Sequence, residues 1–118
     1  MKVLFLIKFK FLLVSVLFTF GWPVSAGSQV GKVDYVIVRA SDGLVFFGLI
    51  DGVKSGSPAC ATNSYWMIRD ENSEAGKKQY AMLLTAQASG RNIEVTGMNT
   101  CNRWSDGEDV NWLRLRAE

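Results

Sequence analysis

Histidine is absent from the chain. That removes the Ser-His and Cys-His nucleophile pairs and the commonest zinc ligand. Cysteine is scarce, with only Cys60 and Cys101, and if these two are bonded no thiolate is left for covalent chemistry. There is no P-loop, dinucleotide fingerprint or EF-hand loop, and no internal repeat or low-complexity tract. Catalysis would have to come from carboxylates alone, so the chain is not expected to be an enzyme, and neither a metal ion nor a cofactor is implied. A long apolar run is also missing. The uncharged segment 11–24 has 14 residues and is interrupted by Pro23, whereas a bilayer-spanning helix needs about 20.

The N-terminus instead has the order of an export signal. Lys2, Lys8 and Lys10 form a basic start, followed by an uncharged stretch from Phe11 to Phe20. Gly21-Trp22-Pro23 breaks the helix, and Val24-Ser25-Ala26 supplies the small residues that precede a cleavage point. Residues 1–26 are therefore expected to be a cleaved signal peptide. Residues 27–118 would then be one secreted or periplasmic domain with no membrane span. Cleavage alters the electrostatics. The full chain carries 13 basic and 11 acidic residues, and without the signal lysines the balance is ten against eleven. No clustered basic excess remains to meet a phosphate backbone, so nucleic acid is not an expected partner. A core this small needs support. Export places Cys60 and Cys101 where disulfides persist, and closing that loop stabilises the fold by about 4 kcal/mol.

Val33 to Arg39 is rich in β-branched and aromatic residues and reads as a strand. Ser41-Asp42-Gly43 is a turn signal, and Leu44 to Ile50 follows as a second strand, pairing with the first as a hairpin. Gly48 within it suggests a bulge or sharp bend. The segment 51–58, with Gly52, Ser55, Gly56, Ser57 and Pro58, is the clearest loop. A third strand falls in Cys60–Arg69, centred on Tyr65 to Ile68. Ser73 is a natural N-cap with Glu74 at the positive end of a helix. The helix runs from Ala75 to Ser89, and Gly90 fits its C′ position. Tyr80, Leu83, Leu84, Gln87 and Ala88 share one face of it. Asn92 to Thr96 alternates as a fourth strand, and Val110 to Arg116 as a fifth. The order β-β-β-α-β-β predicts a mostly β, five-stranded OB-fold-like Greek-key barrel with one helix between the third and fourth strands.

Asp106-Gly107-Glu108-Asp109 is the only acidic cluster. Such carboxylates can divide acid and base roles or hold a hard cation, but turns select Asp and Gly, and the cluster reads as a solvated turn entering the last strand. The aromatic residues are the other resource. Trp and Tyr offer a flat apolar face with a polar tip, suited to stacking on a sugar ring or a base. Trp112, in an alternating strand, reads as core. Trp104 is open between core and ligand contact, since it lies in the polar segment Asn99 to Asp106. That segment brings amide, guanidinium, hydroxyl and carboxylate groups beside an aromatic ring, held by Cys101. The candidate ligand-binding residues are Asn102, Arg103, Trp104 and Asp106, with Trp66 of the third strand.

The helix Gln79-Tyr80-Ala81-Met82-Leu83-Leu84-Thr85-Ala86 runs through Gly90 into Ile93-Glu94-Val95. Gly97, Cys101, Trp104, Asp106-Gly107-Glu108 and a final apolar strand follow. This block resembles small secreted bacterial proteins related to the B subunit of subtilase cytotoxin and, more distantly, pertussis-toxin-like B subunits. The resemblance covers residues 31–115. It implies an OB-fold domain that assembles into a ring of five, binds cell-surface glycans and can accompany a toxic A subunit. The alternative is an envelope or secreted protein–protein interaction module with no toxin role.

Overall fold

The computed structural model describes residues 25–117, so the expected signal peptide, Ser25 and Ala26 apart, lies outside the described residues. The elements are β1 (Ser28–Val38), β2 (Val45–Leu49), β3 (Trp66–Met67), α1 (Glu74–Ser89), β4 (Asn92–Gly97) and β5 (Glu108–Leu115). They close into a barrel in the order β1-β2-β3-β5-β4. All neighbours are antiparallel except β3 and β5, which run parallel with Trp66 opposite Glu108. This is the OB-fold-like barrel expected from the order of elements, with its helix between β3 and β4. The Cys60–Cys101 disulfide is formed, its Cα atoms 6.2 Å apart. Among the described residues no helix is long and apolar enough to cross a membrane.

Closure depends on β1, which serves two neighbours. Its first half, Ser28 to Lys32, pairs with β4, and its second half, Val33 to Val38, pairs with β2. The expected irregularity lies across the ladder from Gly48. The register shifts between Val33 and Tyr35, so the bulge is on β1. Gly48 instead makes room for a side chain, since a Cβ there would lie 2.6 Å from the Tyr35 ring. The interior is filled by Val33, Phe47, Trp66, Ile68, Leu83, Ala86, Ile93, Val95 and Val110.

The helix begins and ends where its caps direct. Ser73 Oγ accepts from the Gly76 N–H at 3.0 Å, and Gly90 takes the left-handed conformation with φ 66°. Its buried face, however, is Gly76, Leu83 and Ala86 with half-buried Tyr80, while Leu84, Gln87 and Ala88 are exposed. The reason lies at Gly76, where a Cβ would overlap the Asp70 carbonyl. That close approach fixes which side of the first turn faces inward.

Trp112 is also not core: it is 37% exposed. Only Glu108 and Asp109 of β5 pair with β3, and from Val110 onward the strand is paired with β4 alone. Leu113 and Leu115 turn toward the core. Trp112 faces outward, with the Arg114 guanidinium 5.3 Å from its ring centroid.

Candidate functional site

The loop between β4 and β5, residues 98–107, is built around buried carboxylates. Asp109 is fully buried. Its Oδ2 accepts from Thr100 Oγ1 at 2.7 Å and the Asn102 N–H at 2.8 Å, and its Oδ1 from the Arg103 N–H at 3.0 Å. Glu108, equally buried, accepts from the N–H groups of Gly27 and Asn99. Asp106 accepts from Asn63 Nδ2 at 2.8 Å and from the Tyr65 hydroxyl. Burial first, and then the Asp106 carboxylate, push the Tyr65 phenol up to about 12. The acidic cluster is therefore not a solvated turn. A loop leaves amides without ladder partners, and here carboxylates satisfy them in charge-assisted hydrogen bonds. Asp109 serves its own loop, six to nine residues away, whereas Glu108 and Asp106 reach Gly27, Asn63 and Tyr65 in distant parts of the chain. Among the described residues no group of three or more Cys, Asp or Glu side chains is gathered to hold a metal ion.

Thus braced, and tied through Cys101 to Cys60, the loop presents Trp104 beside the turn joining β1 to β2. That turn is set by a hydrogen bond from Gly43 N to the Arg39 carbonyl at 2.8 Å and by Asp42 Oδ1 accepting from Leu44 N at 3.2 Å. Gly43 has φ 76°, which its residue type permits without strain. Arg39 donates from Nε and Nη2 to the Asp42 carboxylate and lays its guanidinium 4.2 Å from the Trp104 ring centroid. This is a cation–π contact. Arg103 bonds Glu71 through Nε at 3.1 Å and Nη2 at 3.0 Å, and the Asp42 carbonyl at 3.2 Å. These contacts fix the charges. The Arg39 hydrogen bond holds the Asp42 carboxyl well below its ordinary range, and Arg103 likewise lowers that of Glu71. Trp104 itself remains 40% exposed.

Of the residues expected to form the site, Arg103 and Trp104 meet on this surface through Asp42 and Arg39. Asn102 is exposed beside them in the chain with its N–H on Asp109, and Asp106 bonds Asn63 and Tyr65. Trp66 does not join them. It is fully buried in the barrel, with Nε1 bonded to Gln29 Oε1 at 2.9 Å and Lys54 Nζ 3.9 Å from its ring centroid. Sequence reasoning missed Arg39, Asp42 and Glu71. The Ser41-Asp42-Gly43 turn signal was the one pointer to them, because loops joining first to second and fourth to fifth strands lie together in an OB-fold.

A cleft of about 260 Å³ lies elsewhere, between the start of α1 and β5. Three of its polar side chains are already engaged: Ser73 Oγ caps the helix, Asp70 Oδ1 accepts from Asn72 N, and Gln79 Nε2 donates to the Asn111 carbonyl. The Trp104 surface is the better candidate because it offers an aromatic ring that is 40% exposed, whereas no aromatic side chain lines the cleft. No protein-family model, curated protein or solved structure matches this chain.

Proposed function

We propose that this chain is an exported, non-enzymatic binding module that recognises carbohydrate, as a ring-forming oligomer, through the Trp104 surface. One observation carries the reading: an exposed tryptophan on a rigid β4–β5 loop stands against the polar β1–β2 turn, and OB-folds use these two loops to bind oligosaccharides and oligonucleotides. The Trp104 ring supplies an apolar platform, while Asn102, Arg103 and the Arg39–Asp42 pair supply donors and acceptors for hydroxyl groups. The balance of ten basic against eleven acidic residues in 27–118 favours a sugar over a nucleic acid. Resemblance to toxin B subunits points the same way. A broad glycan array probed with residues 27–118, together with native mass, tests the reading. Selective glycan binding by a ring-sized species is expected, and a monomer that ignores the array contradicts it.

A second reading, a protein–protein interaction module with no toxin role, draws on exposed apolar residues in the β2–β3 loop. Ile50 is 63% and Val53 89% exposed. Replacing both with Ser would then abolish partner capture while leaving Trp104 intact.

A further inference from the structure

Residue 27 is the first buried one among the described residues, with Ala26 half-buried and Ser25 exposed before it. The Gly27 carbonyl accepts from Gly97 N at 2.8 Å. Its N–H is directed at both carboxylate oxygens of the fully buried Glu108, 3.0 Å from Oε2 and 3.2 Å from Oε1. Asn99 N adds a third hydrogen bond at 3.1 Å. Among the described residues, no cation is hydrogen-bonded to this carboxylate. The nearby Lys54 Nζ is buried with no hydrogen-bond partner, and burial holds it below its ordinary value while Glu108 opposes that shift. A buried carboxylate is expensive unless paired, and here a peptide nitrogen stands where a cation would. The cradle also excludes any side chain at this position. A Cβ on Gly27 would lie 2.5 Å from Glu108 Oε1 and 2.8 Å from the Gly56 carbonyl, and one on Gly97 would overlap the same carboxylate.

We propose that hydrolysis of the Ala26–Gly27 bond converts this contact into a buried ion pair, with the new α-ammonium of Gly27 docked on Glu108. The inference rests on the export reading of residues 1–26. Water supplies the hydroxyl to the Ala26 carbonyl carbon as the C–N bond breaks. The Gly27 nitrogen keeps the bonding electrons and takes up the protons released by water and by the new Ala26 carboxyl group. Because Gly27 is enclosed, the bond is cut before the barrel closes. Glu108 then discriminates among products: a chain that keeps Ala26 presents a neutral amide, and a chain cut one residue later has no Gly27 nitrogen to present. Among the described residues, the ionisable groups facing Gly27 are Glu108 from β5 and Lys54 from the β2–β3 loop.

The test uses protein recovered after expression of the full chain in a secreting host. Intact mass and N-terminal sequencing locate the cut, and trace acetylation with acetic anhydride over a pH series measures the reactivity of the α-amine. The product should begin at Gly27. At neutral pH its α-amine should react about tenfold or more slowly than the same chain in denaturant and titrate above the ordinary range of about 7.7–8.0. Glu108→Gln should restore ordinary reactivity, and the denatured wild type keeps the comparison valid if that variant does not fold. A native product beginning at Gly27 whose α-amine reacts and titrates normally overturns the docking. A product cut at any other bond overturns the proposal, and a product that keeps residue 1 overturns the export reading beneath it.

Discussion

The carboxylates Asp106, Glu108 and Asp109 carry more of this structure than their turn-like sequence suggests. Asp109 alone satisfies two backbone N–H groups and one hydroxyl of the β4–β5 loop. Asp109→Ala strands all three, and a buried donor without a partner costs about 1–3 kcal/mol. Because these donors are only part-buried and water can reach them, we expect a loss of about 1–3 kcal/mol in urea denaturation. Tyr65 offers a second check. Its phenol is pushed up to about 12 from 10.0, chiefly by burial and then by its bond to Asp106. A raised folded value means that the neutral phenol stabilises the fold below pH 10.0, and that this contribution is lost as pH climbs toward 12. Absorbance at the phenolate band should therefore show one tyrosine titrating near 12, and Tyr65→Phe should abolish that late step.

Helix α1 shows which local signals are strong. Its N-cap and its C-terminal glycine are short-range devices, readable from Ser73 and Gly90 because their chemistry acts within one turn. Ser73→Ala should lower stability by about 1 kcal/mol, whereas Ser73→Gly should lower it by only a few tenths. A thermal melt of both variants checks the order. The inward face of the helix was legible in part: Tyr80 and Leu83 face the core as their spacing predicts, whereas Leu84, Gln87 and Ala88 are exposed and Gly76 and Ala86 are buried instead. Strands divide in the same way. β2 and β4 announce themselves by composition, and β3 lies within the expected Tyr65 to Ile68, though pairing with both β2 and β5 holds only the two residues Trp66 and Met67 in strand. Trp112 is read wrongly for the related reason that alternation gives two faces without saying which one lies inside.

At the scale of the molecule, the order of elements was enough to anticipate the barrel, and compartment logic enough to anticipate the Cys60–Cys101 bond. The candidate site was half legible: Asn102, Arg103 and Trp104 are contiguous, whereas Arg39, Asp42 and Glu71 reach them only through closure of the barrel. The disulfide joins the β2–β3 connection to the β4–β5 loop across a separation of 41 residues. Replacing both cysteines with Ser should remove about 4 kcal/mol of stability, measurable as a lower urea midpoint. The central claim is that Trp104, and not the similarly exposed Trp112, makes the ligand contact. Calorimetric titration of the glycan best retained on an array, into wild type, Trp104→Ala and Trp112→Ala, tests this directly. We predict that binding disappears with Trp104→Ala and persists in Trp112→Ala; undiminished binding by Trp104→Ala, or equal loss in both, would contradict the account.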